Sequence, residues 1–124
     1  MLRSILAGAV CVLLLAGCGG SRHRAAPPAT RAGFAASANA VCRDVRSHRA
    51  RIAGLRKLRP PEDERDLFGH WLAAERLAVE AGDVIAGRAK AEEIDPRVQL
   101  AVAEGKIAGY ARRLGAVACA PPQA

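Results

Sequence analysis

The sequence predicts an all-α fold, a small three- or four-helix bundle closed by one disulfide, following a short apolar leader and a flexible tether. Three observations carry this. Apolar residues recur at helical steps of three and four in three separate stretches of the 124-residue chain. No stretch alternates apolar and polar residues as a half-buried strand does, and there is no internal repeat. Two cysteines stand at the ends of this helical region, Cys42 beside the first stretch and Cys119 just after the third.

Residues 1–17 have the layout of a secretory signal. One basic residue, Arg3, precedes an apolar run from Ile5 to Leu15, and small residues follow. The run is too short to span a bilayer, which takes about 20 residues. Leu15-Ala16-Gly17-Cys18 resembles a lipobox, the site at which bacterial lipoproteins are diacylated on the Cys sulfur and cleaved just before it. Lipidation at Cys18 is therefore expected, and with it a location on the extracytoplasmic face of the cell membrane. Residues 18–33 hold Gly, Ser, Pro27-Pro28 and Arg without periodicity and read as a tether. Its reach is roughly 20 to 25 Å, which keeps the folded part near the lipid surface.

The folded domain is expected over residues 34–120, with a short tail at 121–124. In the first helical stretch Phe34, Ala38, Val41, Val45, His48, Ile52 and Leu55 recur at alternating steps of four and three, one face of a single helix. Arg43, Arg46, Arg49 and Arg56 fall on the other side. Pro60-Pro61 ends this helix, because a residue before proline is pushed out of the α region. The second helix starts at Pro61 with Glu62, Asp63, Glu64 and Asp66 in its first turns, as the positive end of a helix dipole favours. Its apolar residues form two adjoining rows, Leu67, Trp71, Ala74, Ala78 and Phe68, Leu72, Val79, a stripe wide enough for two neighbours. It is expected to run to about Ile85. Asp95-Pro96 caps and opens a third helix, lined on one face by Leu100, Ala103, Ile107, Tyr110 and Leu114 and stopped at Gly115.

Cys11 leaves with the leader and Cys18 carries lipid. That leaves Cys42 and Cys119 as the only even pairing in an oxidising compartment. Their bridge closes a loop of about 78 residues, worth roughly 4 to 5 kcal/mol on the chain-entropy model, and a domain this small is marginal without such a staple. A plain up-down-up bundle would hold the two cysteines far apart, whereas a disulfide tolerates only about 4.4 to 6.8 Å between Cα atoms. Either residues 87 to 95 cross over and reverse the third helix, or the second helix breaks near Gly82 or Gly87 to give a fourth.

These pieces together resemble a type of short Ala- and Arg-rich lipoprotein of actinobacteria and their relatives, of uncharacterised activity. The matching parts are the lipobox and tether, Phe34 followed by Ala38-Asn39-Ala40-Val41-Cys42, Pro60-Pro61, and Leu114-Gly115 ahead of Cys119. In that type the last motif often reads Gly-Leu-x-x-Cys; here Ala116 stands at the Leu position. The resemblance implies a helical, disulfide-closed envelope domain and no activity.

Little in the sequence points to catalysis. There is no Gly-x-Ser-x-Gly, no Gly-rich phosphate loop and no Cys-x-x-Cys, so no enzyme activity and no cofactor or metal are expected. Asp66 and His70 stand one turn apart but read as a surface pair at a helix start. His48, within an apolar stripe, reads as a partly buried, hydrogen-bonded histidine, and His23 lies in the tether. Net charge is +7, and losing Arg3 with the leader makes it +6. Arg43, Arg46, Arg49 and Arg56 then become candidate contacts for anionic lipid, an acidic wall polymer or an envelope protein, nucleic acid being excluded by the compartment. The function expected is binding or scaffolding at the cell envelope. The alternative is a carrier of a small apolar or lipid ligand between the helices.

Overall fold

The computed structural model describes residues 29–91 and 93–121. Residues 1–28, which hold the expected leader and lipobox, Cys18 and most of the expected tether, lie outside them. Within the described residues the protein is a four-helix bundle with no strand: α1 (Arg31–Asp44), α2 (His48–Leu55), α3 (Arg65–Ile85) and α4 (Pro96–Arg113). Single 3₁₀ turns precede α3 (Glu62–Glu64) and follow α4 (Val117–Cys119). None of these helices is long and apolar enough to cross a membrane.

The first stretch is two helices, not one. Thr30 caps α1, its hydroxyl accepting from Gly33 N at 3.1 Å, so α1 begins three residues before Phe34. At Val45 the backbone becomes extended, and Ser47 starts a new helix by accepting from Ala50 N at 3.2 Å. A hydroxyl that satisfies the backbone locally competes with helix continuation, and at Ser47 it wins. The two helices then fold against each other. Gly54 comes so close to Val41 that a Cβ built there would lie 2.6 Å from a Val41 methyl. The apolar stripe is thus folded in half.

The second stretch holds as one helix. α3 runs unbroken through Gly82 and ends where Gly87 turns left-handed (φ 72°), with Arg88 N bonded to Asp83 O at 2.8 Å. The fourth helix therefore comes from the break at Ser47, and not from one at Gly82 or Gly87. α4 starts as read from the sequence, with the Asp95 carboxylate accepting from Arg97 N at 2.8 Å and Pro96 in its first turn.

The core lies between all four helices. Trp71 is fully buried, and Phe68 stands edge-on to both Trp71 and Phe34 with ring centroids 5.9 and 5.1 Å apart. Leu55, Ile107 and Leu114 complete it, and Ala74, Ala78, Ala103 and Ala111 allow α3 and α4 to approach closely.

The cysteines do meet, by neither of the two expected routes. Gly115 turns the chain back at φ 75°, and the segment after it runs alongside α1. Asn39 holds that segment twice, donating to Gly115 O at 3.2 Å and accepting from Ala118 N at 2.8 Å. Because α1 stops at Asp44, Cys42 sits in its last turn and bonds Cys119 with Cα atoms 5.1 Å apart. The mouth of the bundle opposite α1's start is formed by the α3–α4 connection.

Candidate functional site

Two regions carry polar chemistry or open space. The first is a carboxylate inside the bundle. Glu75 lies one turn beyond Trp71 on the buried face of α3 and is fully buried. Its Oε1 accepts from Trp71 Nε1 at 3.0 Å and Arg51 Nη1 at 3.2 Å; its Oε2 accepts from His48 Nδ1 at 2.6 Å. Since the partner is a carboxylate, Nδ1 must carry the imidazole proton. Nε2 of the same ring lies 4.0 Å from Glu104 on α4. His48 and Arg51 come from α2, so this one carboxylate ties α2 to α3. Both its oxygens are engaged and no water reaches it, so it is built as a cross-brace and not as an exposed acid or base. His48 is partly buried and hydrogen-bonded, as its place in the stripe implied. The sequence reading missed Glu75. The available signal was an acid in an Ala-rich buried row, with an arginine three residues after His48 to pair with it.

The second region is a groove of about 440 Å³ between the end of α3 and the start of α4. Leu77 and Val84 form one wall, Ile94, Pro96 and Val102 the other, and the buried Ala103 lies at its floor. Leu77, Ile85, Ile94, Val98 and Val102 are each 46 to 58% exposed, so apolar surface continues beyond the groove. Five such side chains present on the order of 400 Å² of apolar surface, the size of the largest patch on an ordinary monomer, which is often functional.

No known protein family, curated protein or solved structure matches this chain.

The arginines read as one basic face are divided by the break at Ser47. Arg43 ends α1 and Arg46 lies in the α1–α2 connection, both exposed. Arg49 is on α2 and Arg56 caps its C-terminal end, and with Arg76 they line a cleft against α3. Arg49 is ion-paired with Asp83 at 2.9 Å, and Asp83 also holds Arg88 at 2.9 and 3.0 Å. The Arg88 hydrogen bond, above all, and the charges of Arg49 and Arg88 hold the Asp83 carboxyl below the usual carboxylate range. The four arginines expected on one helix are therefore distributed over α1, the α1–α2 connection and α2 with its C-terminal cap. Asp66 and His70 are exposed, and the His70 ring stacks on Tyr110 with centroids 5.9 Å apart. Among the described residues no three His, Cys, Asp or Glu side chains gather as a metal site would require. Cys42 and Cys119 line a shallow pocket beside His48, Arg51 and Glu104, where the disulfide faces the cross-brace.

Proposed function

We propose that this protein is a lipid-anchored binding module of the cell envelope, held outside the cytoplasmic membrane through Cys18 and working without catalysis. The observation that carries this reading is the placement of the apolar groove relative to the start of α1. Arg31 pairs with Glu64 at 3.0 Å and donates to the carbonyl of Arg113, so the chain enters where α3 begins and α4 ends. The groove lies at the other end of those helices, roughly 20 to 30 Å away at 1.5 Å per residue. A domain tethered at one end and open at the other presents its apolar surface away from the anchor. The alternative, a carrier of a small apolar or lipid ligand, is favoured by the groove's aliphatic walls, whereas the core itself is filled.

The anchor is tested by fractionation. Cys18→Ala should move the protein from the membrane to the soluble fraction or block its processing, and mass spectrometry of the wild type should find acyl mass on Cys18. A mature N-terminus elsewhere, without acyl mass, would sink the anchoring half of the proposal.

A further inference from the structure

We propose that the groove between α3 and α4 binds a single acyl chain bearing an anionic head group, with the chain between Leu77, Val84, Ile94 and Val102 and the head beside Lys90. This deepens the binding reading above and does not depend on the lipid anchor.

Size selects a small ligand. About 440 Å³ falls within the range of small-molecule sites, about 300 to 1,000 Å³. The apolar surface around it, on the order of 400 Å², falls short of the roughly 800 Å² per partner that a stable protein interface buries, so a second copy of the chain is a poor occupant. The apolar part of the lining is aliphatic with no aromatic ring, and the floor residue Ala103 is small, so the slot accepts an unbranched chain more readily than a ring.

Charge selects the head group. On the flank toward α2 the cations are Arg49, Arg56, Arg76, Arg88 and Lys90, and the acids are Glu80 and Asp83. Asp83 is already shared by Arg49 and Arg88, and Glu80 lines both the groove and the arginine-rich cleft beside it. Glu93 and Asp95 flank Ile94 on the opposite wall, and Asp95 is committed to capping α4. Over these side chains cations outnumber acids, and Lys90 lines the groove itself alongside Glu80 and Asp83. A carboxylate or a phosphate on the ligand satisfies the same surplus, so a free fatty acid and a lysophospholipid share the required chemistry.

The test uses the full chain reconstituted in phosphatidylcholine vesicles and photolabelled with a diazirine-bearing hexadecanoate. Label should map to peptides holding Leu77 and Val84 or Ile94 and Val102. Hexadecanoate or lysophosphatidylglycerol in excess should compete, and whichever competes at lower concentration identifies the source. Hexadecyltrimethylammonium should compete several-fold less well. Leu77→Glu with Val102→Glu places acid on both walls at half-exposed positions and should cut labelling about tenfold with unchanged helical circular dichroism. Val102→Glu alone guards against misfolding of the pair. Lys90→Glu should cut labelling by the anionic probe about fivefold, the size of one exposed charge contact. Label spread over the surface, or undiminished in Leu77→Glu/Val102→Glu, overturns the site; equal competition by the cationic amphiphile overturns the anionic head. Labelling that persists in a chain without acyl mass would reject the anchor while leaving the groove's ligand standing.

Discussion

Glu75→Gln is the sharpest probe of what holds this bundle together. The substitution keeps the shape of the side chain and removes its charge. In the native protein one carboxylate accepts from Trp71, Arg51 and His48, and the Arg51 side chain is only 13% exposed. Glutamine offers one acceptor oxygen and an amide that is itself a donor, so at least one of the three donors faces another donor. Arg51 is then left as a nearly buried guanidinium without its counter-charge; its Nε already lacks a partner among the described residues. Breaking a buried ion pair by removing one member costs about 3 to 5 kcal/mol. Because Arg51 and His48 keep some access to water, we expect the lower end, about 3 kcal/mol. Urea unfolding followed by circular dichroism would read this as a fall in midpoint at constant slope. The same reasoning makes a second expectation. Replacing Glu75, Arg51 and His48 together by Leu, Met and Leu should recover most of the loss, since apolar substitutes of similar volume avoid the desolvation of both charges. A Glu75→Gln cost below about 1 kcal/mol, or a triple variant no more stable than the single, would refute the cross-brace.

Gly54→Ala should destabilise by about 1 to 3 kcal/mol through overpacking against Val41, and Val41→Ala in the same chain should restore much of it, measured by thermal unfolding. The Asp83 carboxyl is held low, so its tie to Arg49 and Arg88 contributes above the ordinary aspartate pKa of about 3.9 and is lost as pH falls through the lower folded value. A carbon-detected NMR titration should place its midpoint below 3.9, and Arg88→Gln should raise it. Replacing Cys42 and Cys119 together by Ser should lower unfolding stability by up to about 4 kcal/mol, and native peptide mapping without reductant should recover the linked fragment in the wild type.

Much of the architecture was legible because local chemistry and global packing agree. The Asp95-Pro96 start and the stop at Gly115 mark α4 and act in the fold as their chemistry implies. The start expected at Pro61, by contrast, is a 3₁₀ turn over Glu62–Glu64; α3 begins at Arg65, and Glu64 is buried against Arg31. The pairing of Cys42 with Cys119 followed from setting Cys11 and Cys18 aside on the expected leader and lipidation, and the two do bond. The break at Ser47 was hidden because the apolar spacing from Phe34 to Leu55 suits one continuous face, and periodicity does not say whether a stripe is folded back on itself. Glu75 was hidden for a related reason. A polar residue on a buried face is acceptable only with partners, and those partners stand 24 and 27 residues away on another helix. The groove left a fainter trace. Leu77, Val84, Ile94, Val98 and Val102 belong to none of the stripes that build the core, and large aliphatic residues without a core position are what an exposed apolar surface looks like in sequence.

The bond between Cys42 and Cys119 also decides how the domain carries a load. A pull arriving through the chain before Arg31 acts first on α1, whose start is pinned only by ion pairs, hydrogen bonds and the Phe34 ring. Without a covalent link α1 could peel away turn by turn, each contact failing alone. With its last turn bonded to the segment that follows α4, the force passes through sulfur into the far end of the chain, and the residues between the two cysteines cannot be drawn out in sequence. Traction on the leading end can therefore peel α1 no further than Cys42, and the extension gained is limited to the few residues ahead of that bond.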